Sequence, residues 1–88
     1  MAGSRIIKMP KVYILKNDLS GRHYIGSTMD LERRISEHNR GQTKSTKQKG
    51  IWEIVYTEEF NNILEAKRRE RQIKSYKGGN AFKKLVMK

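Results

Sequence analysis

Residues 12 to 27 read VYILKNDLSGRHYIGS and hold two of the chain's four tyrosines, Tyr13 and Tyr24, one on each side of a polar stretch. Lys11 to Lys16 alternates and is rich in Val, Tyr and Ile, and His23 to Ser27 is a second short run of the same kind, so both read as extended chain. Asn17, Asp18, Ser20 and Gly21 between them are turn formers. The stretch therefore predicts a β-hairpin with a loop longer than the tight two-residue kind. The two tyrosines then stand in neighbouring antiparallel strands. Strand propensity alone explains such a placement, and so would packing at a sheet edge.

After the hairpin, Ser27, Thr28 and Asp30 offer side-chain oxygens to cap a helix over LERRISEHNR, with Gly41 as its C′ residue. Gln42 to Gly50 is polar, lysine-rich and aperiodic, and reads as a loop. IWEIVY, residues 51 to 56, is the strongest strand, with Glu53 at an outward position. Asn61 or Asn62 caps a second helix running to about Tyr76, and Gly78 and Gly79 end it. Ala81 to Met87, with Phe82, Leu85 and Val86 on one side, predicts a short closing helix. The order β-β-α-β-α-α implies an α+β fold: a small three-stranded, mostly antiparallel sheet flanked by helices.

Eighty-eight residues fit one small domain. We take residues 1–9 as an N-terminal extension and 10–88 as the domain. The absence of cysteine excludes disulfides and thiolate metal sites and suits a reducing compartment. No apolar run approaches the roughly 18 residues of a membrane span, and no signal-peptide pattern opens the chain. The expectation is a soluble, cytoplasmic protein.

Twenty Lys and Arg against nine Asp and Glu give a net charge of +11, and residues 61 to 88 hold +7 of it. A polyanion is the natural partner. Lys44, Lys47 and Lys49 of the loop, and Lys67, Arg68, Arg71 and Lys74 of the second helix, are the candidates for tracking a nucleic-acid backbone. Such contacts give affinity without reading sequence.

Several polar residues fall where apolar ones belong. In the first helix Leu31 and Ile35 must face the sheet, yet Arg34 and His38 share their stripe, while Arg33, Glu37 and Arg40 lie further round toward water. In the second helix the inward series is Ile63, Ala66, Glu70, Ile73. A carboxylate in that series must be paired, hydrated or coordinating a cation. A structural ion pair with Arg34 or with a lysine of the same helix meets that need. Arg34 can equally lay its stem on the core edge, and His38 can be a helix-end histidine whose charged form the dipole favours. Taken together, two phenols, a guanidinium, an imidazole and a carboxylate on inward faces form the kind of cluster that marks a site.

With VYI at 12 to 14, YIG at 24 to 26, DLERRISEH at 30 to 38 and EAKRRERQIKSY at 65 to 76, in that order, the sequence resembles the GIY-YIG nuclease superfamily, particularly its small URI-type members. Lys11 stands in place of the first glycine. The resemblance implies a divalent-metal-dependent endonuclease acting on DNA, structure-selective and of the repair or recombination type, with Tyr13, Tyr24, Arg34, His38 and Glu70 catalytic. It implies Tyr13 as general base, its pKa lowered by neighbouring cations, and Arg34 on the scissile phosphate. It also implies Glu70 as ligand of one Mg²⁺ or Mn²⁺. Family members often carry a late asparagine; Asn80 is the one late candidate and receives no role. No HExxH, no GxxxxGK[ST] and no GxGxxG motif is present, which argues against zinc, NTP and dinucleotide chemistry. A non-catalytic nucleic-acid-binding module on the same fold is the alternative, and a structural protein that binds ribosomal RNA through charge is a third reading. A free-standing catalytic domain also leaves room for a protein partner that targets it.

Overall fold

Val12, Tyr13, Ile14 and Leu15 are all buried, so the strand that carries them must be covered on both faces. The computed structural model, which describes residues 9–40 and 50–87, shows how. Its elements run β1 (Lys11–Asn17), β2 (His23–Thr28), α1 (Leu31–Asn39), β3 (Trp52–Glu59), α2 (Ile63–Ser75) and α3 (Asn80–Val86). The sheet order is β2-β1-β3, both pairings antiparallel, with β1 in the centre.

The alternation in β1 is therefore between two buried faces rather than between core and water. Val12 and Ile14 meet Ala66 and Ile73 of α2 and Phe82 of α3. Tyr13 and Leu15 look the other way, onto Trp52, with Leu31 and Ile35 of α1 packed beside them. The protein is a three-layer arrangement, α1 over one face and α2 with α3 over the other.

The expected α+β order is found, and the predicted boundaries shift in ways that have physical causes. Asp30 caps α1, its Oδ1 accepting from the Arg33 amide at 3.3 Å, and Asn62 caps α2, accepting from the Glu65 amide at 3.0 Å. β3 runs three residues further than predicted, because Thr57, Glu58 and Glu59 pair with Tyr13, Val12 and Lys11. An edge strand tolerates such charges on its open side. The register slips once, between Ile14 and Leu15, where Val55 is the extra residue of a bulge. The hairpin loop, longer than two residues as expected, folds round Asn17, whose buried Oδ1 accepts from the amides of Leu19 and Ser20 at 3.0 and 2.9 Å. The expected cap Gly41 and the loop lysines Lys44, Lys47 and Lys49 lie outside the described residues. Among the described residues no helix is long and apolar enough to cross a membrane.

Candidate active site

Partners across an antiparallel pair share a face, so the register places side chains unambiguously. Tyr13 opposes Gly26, Leu15 opposes Tyr24, and all four belong to the α1 side. The Tyr13 ring lies flat across β2: a methyl group on Gly26 would stand 2.5 Å from its hydroxyl and 2.6 Å from Cζ. The glycine of the second triplet is thus a gap that the first tyrosine fills. The phenol can reach the outer edge of the sheet because Gly26 has no side chain.

From above, α1 delivers His38, 1 % exposed, whose Nε2 lies 3.2 Å from the Tyr13 hydroxyl. Tyr24 stacks on Tyr13 with ring centroids 6.2 Å apart and lies against His38 at 4.5 Å. Arg34, one turn earlier on the helix, interacts with the Tyr13 hydroxyl and bonds Glu37 Oε1 at 3.0 Å. Glu37, expected to face water, is half-buried and shared between Arg34 and Arg33. It holds the guanidinium at the mouth of the cluster.

The electrostatics differ from expectation at two groups. Burial pushes the Tyr13 phenol up to about 12, with Arg34 pulling it down and Tyr24 and Glu70 adding to the rise. The hydroxyl is therefore protonated at rest, not primed as a phenolate. His38 moves opposite to the helix-dipole expectation. Burial first, then the Arg34 charge, lower its pKa, against a smaller opposing pull from Glu37. A neutral imidazole beside a protonated phenol can accept that phenol's proton, in the tautomer that leaves Nε2 free.

Glu70 arrives from the other side of the sheet. Ser27 opposes Val12 and so faces α2, and its Oγ donates to Glu70 Oε1 at 2.5 Å. Tyr13 lies over Gly26 on one face while Glu70 grips Ser27 on the other, so the phenol and the carboxylate meet adjacent residues of the same edge strand. Lys74 Nζ lies 2.7 Å from Oε2. Burial pushes the Glu70 carboxyl up, but Lys74, Ser27 and the Lys67 charge outweigh it and hold the group below the usual range. The expected pairing with a lysine of the same helix is found; Arg34 is occupied by Glu37.

Among the described residues no group of three His, Cys, Asp or Glu side chains could cage a metal. An ionised carboxylate that already attracts a cation on its open oxygen fits a hard divalent ion keeping most of its waters, and not zinc, which needs three or four protein ligands.

The cations of α2 separate by flank. Lys67, Arg71 and Lys74 lie on the side of Glu70. Arg68 lies nearly opposite, lining a depression with Phe60, Glu65, Arg69 and Gln72, away from the cluster. Asn80 begins α3 and lines a depression with Lys83, Lys84 and Met87. Ser27, expected among the oxygens that cap α1, does not cap it: its place next to Gly26 in a strand puts it on the α2 face, where it bonds Glu70.

A family model described as the GIY-YIG catalytic domain matches residues 9–83. A UPF0213 protein of Halobacterium salinarum is 39% identical over 67 residues, covering 75% of this chain and 86% of that one. Another, from Staphylococcus saprophyticus, is 41% identical over 66 residues, covering 74% and 79%. The solution NMR structure of a UPF0213 protein from Bacillus halodurans is 34% identical, covers 82% of this chain and 88% of its own, and superposes with a TM-score of 0.45.

Proposed function

The chain belongs to the GIY-YIG catalytic-domain family, a nuclease family, and from that membership we propose that it is a divalent-metal-dependent endonuclease hydrolysing DNA phosphodiester bonds. The observation that carries the proposal is the hydroxyl of Tyr13: buried, 3.2 Å from a neutral histidine, beside Arg34, and one strand residue from the carboxylate of Glu70.

Hydrolysis requires a water to lose its proton as its oxygen attacks phosphorus and the bond to the leaving oxygen breaks. A phenol with a pKa near 12 does not supply a standing base. Tyr13 instead passes its own proton to His38 Nε2 while taking one from the attacking water, so phenolate forms only in the transition state, next to the Arg34 guanidinium. Arg34, half-exposed at the mouth, leaves Glu37 to hold the phosphate with its planar fork. Tyr24 offers its hydroxyl to water or phosphate from the second strand. Glu70 is the residue that would hold Mg²⁺ or Mn²⁺. When bound, the ion supplies charge neutralisation at the phosphate. Lys67, Arg71 and Lys74 extend the cationic surface beside Glu70, and Arg68 contributes only long-range attraction from the far flank. A substrate of branched or otherwise irregular DNA, as in repair or recombination, suits a small domain whose charged groups read backbone rather than bases.

The test incubates the purified protein with supercoiled, linear, single-stranded and branched DNA, with Mg²⁺, Mn²⁺ or EDTA, beside Glu70→Ala. Metal-dependent cleavage that disappears in the variant is the expected result. Binding of every form without cleavage in any metal would overturn it in favour of a non-catalytic binding module.

A further inference from the structure

Glu70 has two oxygens and two unlike partners. Ser27 approaches Oε1 on a short side chain fixed to a strand, and its 2.5 Å bond sets the carboxylate's orientation. Lys74 approaches Oε2 on a long arm whose side chain is 55% exposed, against 19% for that of Glu70. One partner is part of the frame; the other reaches in from solvent.

A second glutamate near the same helix shows what a permanent pair looks like here. Glu58 bonds Arg69 Nε at 3.1 Å, and Arg69 is itself held by Gln72 at 2.8 Å and Tyr76 at 3.4 Å, with side-chain exposure of only 21%. An ammonium has no fork to lock, and among the described residues Lys74 pairs with no other carboxylate. Displacing Lys74 breaks one half-exposed pair four residues apart on a helix, whose lysine end is already in solvent, a contact of small worth.

We propose that Lys74 is the resident counter-cation of the Glu70 carboxylate: it holds the metal-side oxygen until a divalent ion displaces it, and the freed ammonium then turns to DNA phosphate. The inference rests on the reading of Glu70 as a metal ligand and adds a regulating residue to that site. Lys74 is a positioning residue that acts through Glu70. It neutralises the carboxylate without metal, and it sets a threshold that the ion must exceed. By linkage, phosphate that draws Lys74 away raises the affinity of Glu70 for the ion.

Mn²⁺ titration followed by electron paramagnetic resonance, on the full chain without DNA, tests this apart from any cleavage. Lys74→Met should bind Mn²⁺ more tightly than the parent, by about twofold from lost competition alone and toward about tenfold as like-charge repulsion of the incoming ion is removed. Lys74→Arg should not bind more tightly than the parent, and the effect of Lys74→Met should vanish in a Glu70→Gln background. Lys74→Gln serves as the second variant if Lys74→Met folds poorly. Unchanged or weaker Mn²⁺ binding in both variants, with only a lower Tm, would mean a purely structural pair and overturn the proposal. So would an effect that persists without the Glu70 carboxylate, or no Mn²⁺ binding in any variant. A protein that cleaves no DNA yet shows the Glu70-dependent gain would retire the nuclease reading and leave this one standing.

Discussion

The four tyrosines divide between the two faces of one sheet, and the two pairs live under different rules. On the α2 side, Tyr56 donates to Glu58 Oε2 and Tyr76 accepts from Arg69, which also bonds Glu58. Each hydroxyl there has a charged partner, and the partners neutralise each other. On the α1 side, Tyr13 and Tyr24 share a neutral histidine and one arginine, with a carboxylate close enough to raise the Tyr13 pKa but not bonded to it. The first network is closed upon itself and stabilises the fold. The second keeps a proton donor, a proton acceptor and a guanidinium together at the rim, where a substrate can complete their interactions.

Removing single hydroxyls breaks this comparison most directly. Tyr13→Phe should lower DNA cleavage by about 10² to 10⁴-fold, the usual worth of a positioned proton-transfer group. It loses the hydroxyl's contacts with His38 and Arg34, about 1–2 kcal/mol of stability. Single-turnover cleavage and thermal melting of the same samples check both. Full activity would remove Tyr13 from the chemistry.

Gly26→Ala is the next largest. The new methyl group overlaps the Tyr13 hydroxyl and Cζ at 2.5 and 2.6 Å, so the ring must move. Overpacking of this kind costs about 1–3 kcal/mol. Alanine is no worse than glycine in a strand, so any loss reports the displaced phenol. Cleavage should fall with stability, because the hydroxyl leaves His38. A variant that melts like the parent would show that β2 yields instead. Tyr56→Phe should cost less, about 1 kcal/mol, or roughly 4–8 °C in Tm for a chain of this size. Glu58 keeps Arg69, and cleavage should be unchanged. Lost activity with an intact fold would place both networks in the reaction and dissolve the contrast between the faces.

The sequence made the closed and open networks unequally legible. Helical spacing marked Arg34, His38 and Glu70 as polar residues on inward stripes, and the structure buries His38 and half-buries the other two. Four turn formers between two strand-like runs dictated that Tyr13 and Tyr24 would be neighbours. What spacing could not show was which flank of α2 lies against the outer strand, because that depends on β2 and not β3 taking the edge beside Glu70. Arg68 and Lys74 look equivalent in the sequence for that reason. Nor could it show the Tyr13 pKa, since the rise comes from burial beneath α1, a contact between residues 25 positions apart. The Glu58 network was hidden because β3 continues through Thr57, Glu58 and Glu59, where charged residues read as the end of a strand.

The smallest effect concerns pH, and its sign separates the buried histidine from an ordinary helix-end one. The folded pKa of His38 lies below its usual 6.5, from burial and the Arg34 charge. As pH falls through about 6.5 the unfolded chain takes up a proton that the folded chain refuses, so stability is full above that point and declines below it. His23, lowered by burial and Lys16, adds to the same slope. Glu70, also lowered, acts in the same direction but further down, below about 4.5, where the unfolded carboxylate begins to protonate. Chemical denaturation between pH 7.5 and 5 should therefore show falling stability, and His38→Gln should flatten part of that fall while His23→Gln flattens another. A histidine charged by the helix dipole would give the reverse, stability rising on acidification and lost in the variant. The same depression keeps His38 an acceptor for the Tyr13 proton in mildly acidic solution, so cleavage should persist below pH 6.5, where a free imidazole would already be mostly protonated.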